Sequence, residues 1–129
     1  MRILRSDWAA GIIASMEIIH SPIPRSYLIP LAQHMDGEMV KAVVDVGAGR
    51  IALDAGMHVD LEALLLDSGS NQDSLWGINL YPDLPDEDWL ELDSMINLRP
   101  GQGNRSRGVD DPAIRERIRS LVNALIVPS

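Results

Sequence analysis

The chain has 129 residues, no cysteine, and 19 acidic against 11 basic side chains, a formal net charge of −8. That length suits one domain with a real core. The lack of cysteine excludes a disulfide framework, a thiolate nucleophile and a cysteine zinc site, and the negative balance makes nucleic acid an unlikely partner, since its recognition needs a basic field.

In chain order, Met1 to Ser15 (MRILRSDWAAGIIAS) comes first. Asp7 interrupts its short apolar run, so neither a secretory signal nor a membrane span is expected. The segment reads as a disordered N-terminal extension or a mis-set start, with Met16 as the alternative start and the domain running over residues 16–127. Glu17 to His20 is a first strand, and Ser21-Pro22-Ile23-Pro24 punctuates it. A helix is predicted from about Pro24 to Met35, where Pro30 demands a kink or a late start, and Asp36-Gly37 ends it. Met39 to Val46 alternates as a strand, with Val40, Ala42, Val44 and Val46 on one face. Gly47-Ala48-Gly49 turns it into Arg50 to Asp54, giving a hairpin. Asp60 caps a helix from Leu61 to about Ser68, and Gly69 stops it. Leu75 to Tyr81 is another strand. Trp89 to Leu98 is predicted as the last and longest. Pro112 to about Ile126 is the clearest helix, with Ile114, Ile118, Leu121, Val122 and Leu125 on one face. The expected fold is therefore α+β: a single domain with a mainly antiparallel sheet and helices packed on one face.

The stretch between the last strand and the last helix carries the chemistry. Arg99, Arg105 and Arg107 offer permanent planar charge suited to carboxylate or phosphate. Gly101, Gly103 and Gly108 permit close approach to the main chain, while Asn104 and Ser106 favour turns. Asp111 followed by Pro112 is a strong helix start, so the orphan N–H groups of the first turn point back at the loop. Against an anion there, Asp110 and Asp111 already place negative charge at that end. The loop matches neither a P-loop nor a dinucleotide fingerprint.

Charge is segregated along the chain. From Ile51 to Leu98 there is no Lys or Arg, whereas six arginines follow between Arg99 and Arg119. Either the two regions pair, and the loop is an intramolecular clamp, or the arginines face a partner.

Three segments, MVKAVVDV from Met39, DSLWGINLYP from Asp73 and DSMINLRPGQGNRSRGVDDP from Asp93, together resemble a family of small bacterial proteins known only as a domain of unknown function. The resemblance covers about Met16 to Ile126. It implies a compact bacterial domain in the cytoplasm, and it implies no activity, cofactor or catalytic residue. The absence of cysteine fits the same reducing compartment.

Strand alternation suggests a second surface. The polar face of the sheet should present Lys41, Asp45, Asn79, Tyr81, Asp93 and Asn97, either as a pocket beside the loop or as a solvated face. The leading expectation is a binding or regulatory domain for an anionic small molecule or an acidic protein segment. Arg99, Arg105 and Arg107 would hold charge, Gly101 and Gly103 would admit the ligand, Asn104 and Ser106 would shape the loop, and Asn79, Asp93 and Asn97 would orient it. The alternatives are a hydrolase or transferase acting on a phosphorylated metabolite with Asp93 as general base, and a structural role in which the loop clamps its own chain or a second copy in a homo-oligomer. His58, Asp60 and Glu62 lie on alternate residues, but a helix capped at Asp60 points them apart, so no metal site is expected. No cofactor is indicated.

Overall fold

The computed structural model describes residues 16–35 and 37–129. The extension expected over Met1–Ser15, and the helix end expected at Asp36, lie outside the described residues. The element order is β1 (Glu17–Ile19), β2 (Ile23–Pro24), α1 (Leu28–Met35), β3 (Val40–Asp45), β4 (Arg50–Leu53), α2 (His58–Asp67), β5 (Leu75–Leu80), β6 (Leu90–Glu91), α3 (Pro112–Leu125) and β7 (Ile126–Val127). Five strands form one antiparallel sheet in the order β1-β4-β3-β5-β6. The short β2 and β7 pair in parallel at the side. The protein is a single α+β domain, as the strand and helix patterns predict.

The helices do not share one face of the sheet. The even-numbered residues of β3 and β5 (Val40, Ala42 and Val44; Trp76, Ile78 and Leu80) pack with Leu28 and Ala32 of α1 and with Ile118, Val122 and Leu125 of α3. On the opposite face Ile18, Val43, Ala52 and Leu75 are also apolar and need cover, which α2 supplies through Leu61, Leu64 and Leu65. Burying a leucine such as Leu61 or Leu65 completely is worth about 2 kcal/mol, enough to draw a helix onto the second face. The second face is thus covered at the β1-β4-β3 side and left for something else at the β5-β6 side.

Local chemistry explains the boundaries. Pro30 falls in the first turn of α1, after a 3-10 turn at Arg25–Tyr27, where its missing N–H breaks no helical bond. The C-terminus of α2 closes with a Schellman motif: Gly69 takes φ +99°, Ser70 N donates to Leu65 O at 2.9 Å, and Gly69 N to Leu66 O at 3.1 Å. Asp45, expected on the polar face, is instead buried in the β3–β4 turn. Its Oδ1 accepts from Gly47 N and Ala48 N at 3.0 and 2.9 Å, and its Oδ2 accepts from Ser70 Oγ at 2.5 Å.

The predicted strand from Trp89 to Leu98 is the main departure. Only Leu90–Glu91 pairs with β5, and Met95–Asn97 forms a 3-10 turn. Ser94 starts that turn by accepting from Ile96 N at 3.3 Å. Beyond β6 a side chain replaces the ladder. Gly77 N donates to Asn97 Oδ1 at 2.8 Å, and Asn97 Nδ2 donates to Gly77 O at 3.0 Å. The fully buried Asn97 amide thus pairs with the Gly77 peptide as a neighbouring strand would, while holding residues 93–97 as a strap above the sheet. Gly77 makes the close approach possible, because a Cβ there would lie 2.4 Å from Ser94 Cβ.

Candidate functional site

The arginine loop is tied to its own chain. Arg99 leaves the strap and turns inward: its guanidinium donates to Gln72 O at 2.6 Å and Leu75 O at 2.8 Å, and stacks 4.2 Å from the Trp76 ring centroid. Burial lowers its pKa from the ordinary value, yet an arginine stays charged. Asn104 is buried at the loop's centre, with Nδ2 2.7, 3.1 and 2.9 Å from the carbonyl oxygens of Asn97, Ser106 and Gly108. Its Oδ1 accepts from Asp110 N at 2.8 Å. Gly103 ends a 3-10 turn at Pro100–Gln102 with φ +90°, which closes the Arg99–Asn104 bridge, and Gly101 stands exposed in the same turn.

The start of α3 is equally occupied. Asp111 Oδ1 accepts from Ala113 N at 2.8 Å, capping the helix. Asp110 accepts from Ser106 Oγ at 2.6 Å and Arg105 N at 2.7 Å. The Ser106 bond first, and then the Arg105 amide, hold its carboxyl below the ordinary value. Of the N–H groups in the first turn of α3, Ala113 N is thus taken by Asp111, while Asp110 holds the loop amide and hydroxyl beside it. Arg115 donates to the carbonyls of Val109 and Asp110, and Arg117 to Val46 O. The acidic and basic segments meet in one ion pair among the described residues, Arg107 Nε to Asp93 Oδ1 at 2.8 Å.

A cleft of about 480 Å³ opens on the uncovered part of the second sheet face. Lys41, Asn79 and Glu91 form its floor, aligned across β3, β5 and β6 by register. One wall is the strap, Asp93 to Ile96, with Arg107 behind it; the other is the start of α2, Gly56 to Val59. Of the six polar residues expected on this face, Lys41, Asn79, Tyr81 and Asp93 line the cleft, whereas Asp45 and Asn97 are buried elsewhere. Of the loop residues expected to bind, only Arg107 lines it; Arg99, Gly101, Gly103, Asn104, Arg105 and Ser106 do not.

Within the cleft, Glu91 Oε1 accepts from Asn79 Nδ2 at 2.8 Å and from Tyr81 OH at 3.0 Å, and Arg107 answers Asp93. The half-buried Lys41 is different, because its ammonium makes no hydrogen bond or ion pair among the described residues. Asn79 is buried and its Oδ1 lacks a hydrogen-bond partner of good geometry. The N-cap of α2 is Met57, with no side-chain cap, and Asp60 is the acid in its first turn.

His58, which the sequence offers only as a metal ligand beside Asp60 and Glu62, opens α2. Its Nε2 lies 2.8 Å from Ile78 O. A carbonyl only accepts, so Nε2 carries the hydrogen and Nδ1 keeps a lone pair. Burial lowers the imidazole pKa below its ordinary 6.5, against the Ile78 bond; Lys41 lowers it further, while Asn79 and Asp93 raise it. The only advance signal was the lack of any capping side chain at Gly56-Met57, which leaves the helix start bare.

No group of His, Cys, Asp or Glu among the described residues could hold a metal ion. No helix of the described residues is long and apolar enough to cross a membrane.

Residues 17–125 match the family described as Protein of unknown function (DUF5674). The chain belongs to that family. Neither a curated protein nor a solved structure matches it. The family spans the sheet, the strap and all of α3, so cleft and arginine loop both lie inside it.

Proposed function

We propose that this protein is a small cytoplasmic binding domain of bacterial type whose ligand is a small anion, held in the cleft between the strap and the start of α2. The observation that carries this reading is Lys41. Lys41 is a half-buried residue whose ammonium makes no ion pair among the described residues, and it sits on a cavity floor beside a helix N-terminus that lacks a side-chain cap. Both features favour negative charge at the same place. Arg107 adds a second cation from the wall, with its remaining guanidinium donors turned to solvent or ligand. The volume suits a small molecule. The arginine loop serves this site indirectly, because Asn97 and Asn104 fix the strap that forms the wall.

The test is a titration followed by NMR chemical shifts and thermal unfolding, with phosphate, sulfate, acetate and citrate as probes. Wild type should show saturable shifts at Lys41, His58 and Arg107 and a concentration-dependent rise in Tm. Lys41→Ala should abolish both, and Arg105→Ala should change neither. Saturable binding that persists in Lys41→Ala, or no binding by any probe, rejects the reading.

A second reading, acid–base catalysis on the bound anion by a hydrolase or transferase, draws support from His58. Its pKa is lowered, its tautomer is fixed by Ile78 O, and it lines the cleft. That makes it a better general base than Asp93, which is already paired with Arg107. Turnover of a phosphate ester that is lost in His58→Gln and kept in Asp93→Asn would establish it.

A further inference from the structure

The cleft has a second character besides its charge. Met39, Met57 and Met95 line it, and Met57 and Met95 are 60% and 62% exposed. An adjoining recess of about 200 Å³, sharing Met39, Lys41 and Gly56 with the cleft, is walled by Met35, itself 47% exposed. Thus four of the five methionines in the described residues gather at one opening, while the fifth, Met16, is buried in the core. Methionine exposed in this concentration is expensive in water, and its flexible, polarizable thioether suits surfaces that adapt to apolar ligands. A bare inorganic anion at Lys41 would leave this wall uncovered and most of the volume wet.

We infer that the ligand is an organic carboxylate with an apolar chain: the carboxylate meets Lys41 and Arg107, and the chain lies between Met57 and Met95 and runs toward the recess at Met35. This rests on the reading of the cleft as an anion site and adds the class of ligand. Lys41 is shared by both cavities, the recess beyond it is otherwise lined by methionine, alanine and glycine, and the cleft's acids, Glu91 and Asp93, are engaged by Asn79, Tyr81 and Arg107. The cavity size selects a small molecule over a folded partner.

The experiment compares acetate with octanoate on the full chain carrying ¹³C-methyl methionine. Octanoate should bind at least roughly tenfold more tightly than acetate, since several methylenes leave water. It should shift the methyl signals of Met35, Met57 and Met95 and leave that of Met16 in place. The Met57→Gln, Met95→Gln double variant replaces exposed side chains and should fold. It should narrow the difference in affinity between octanoate and acetate. Lys41→Ala should lose both. Equal affinity for the two acids, or octanoate binding indifferent to the methionine substitutions, overturns the inference and leaves the anion site standing. Failure of both acids to bind overturns the two together.

Discussion

The starts of α2 and α3 are built in opposite ways. At α3, Asp111 caps the helix, Asp110 takes the loop amide and hydroxyl, and Asn104 gathers three carbonyls, so the loop's polar groups answer one another. At α2, Met57 supplies no cap, and the space in front of it holds Lys41 without a partner and His58 with one ring nitrogen committed. Arginine, glycine and aspartate crowd the first region and make it conspicuous in sequence. That density reflects what a long irregular segment needs to satisfy its own backbone once it lies against a sheet. The second region is inconspicuous because its groups are left unsatisfied, and an absence leaves no motif.

The sharpest way to break the comparison is to remove the centre of the self-satisfied region. Asn104→Ala leaves the buried Asn97 carbonyl, the part-buried Ser106 and Gly108 carbonyls and the Asp110 amide without their partner, and should cost about 3 kcal/mol. Asn97→Ala, which orphans both polar groups of the Gly77 peptide, should cost a similar amount. Urea unfolding reads both; a loss below about 1 kcal/mol would mean that the loop is not a clamp. Gly77→Ala comes next, at about 2 kcal/mol, because the new Cβ meets Ser94 at 2.4 Å and must lift the strap. It should also weaken ligand binding, since the strap is a wall of the cleft.

The same contrast governs what could be read from the residues. The alternations of β3 and β5, the Asp111-Pro112 start of α3 and the Gly69 stop of α2 are local signals, and they are realised at or near the expected residues. The spacing of Leu90, Leu92, Ile96 and Leu98 keeps period two and so predicts a strand over Trp89–Leu98, whereas Asn97 takes over the pairing with its side chain, an interaction twenty residues away from Gly77 in sequence. The second covered face was legible in Val43 and Ala52, which sit where a solvated face would carry polar residues. Strand parity alone puts Lys41, Asn79, Tyr81 and Asp93 on the face where the cleft lies. It does not place His58, because that residue's role depends on where α2 starts, and Asp60 offers a more attractive cap.

Substitutions in the cleft should behave in the reverse manner to those in the loop. Lys41→Met removes an unpaired half-buried charge and keeps the stem's contacts, so stability should hold or rise by about 0.5 kcal/mol while anion binding disappears. Arg107→Ala breaks an ion pair whose partners are both substantially exposed and should change stability by less than about 1 kcal/mol, again with weakened binding. Arg105→Ala should alter neither property, since that side chain is exposed and has no partner among the described residues. Chemical unfolding beside ligand titration separates the three, and a large stability loss in Lys41→Met would show that the ammonium has a structural partner.

The smallest expected effect is a pH dependence from His58. Its folded-state pKa lies below the ordinary 6.5, chiefly through burial. When the pH falls through 6.5 the unfolded chain takes up a proton that the folded chain refuses, so stability declines until the folded pKa is passed and then levels. Lys41 strengthens the refusal, whereas Asp93 opposes it. An anion bound against Lys41 adds negative charge beside the imidazole and raises its folded pKa. The decline should therefore shrink in saturating ligand, and affinity should increase as the solution is acidified. His58→Gln should remove that part of the pH slope with and without ligand. If ligand instead leaves the slope unchanged, the anion lies away from His58 and the start of α2 is not its site.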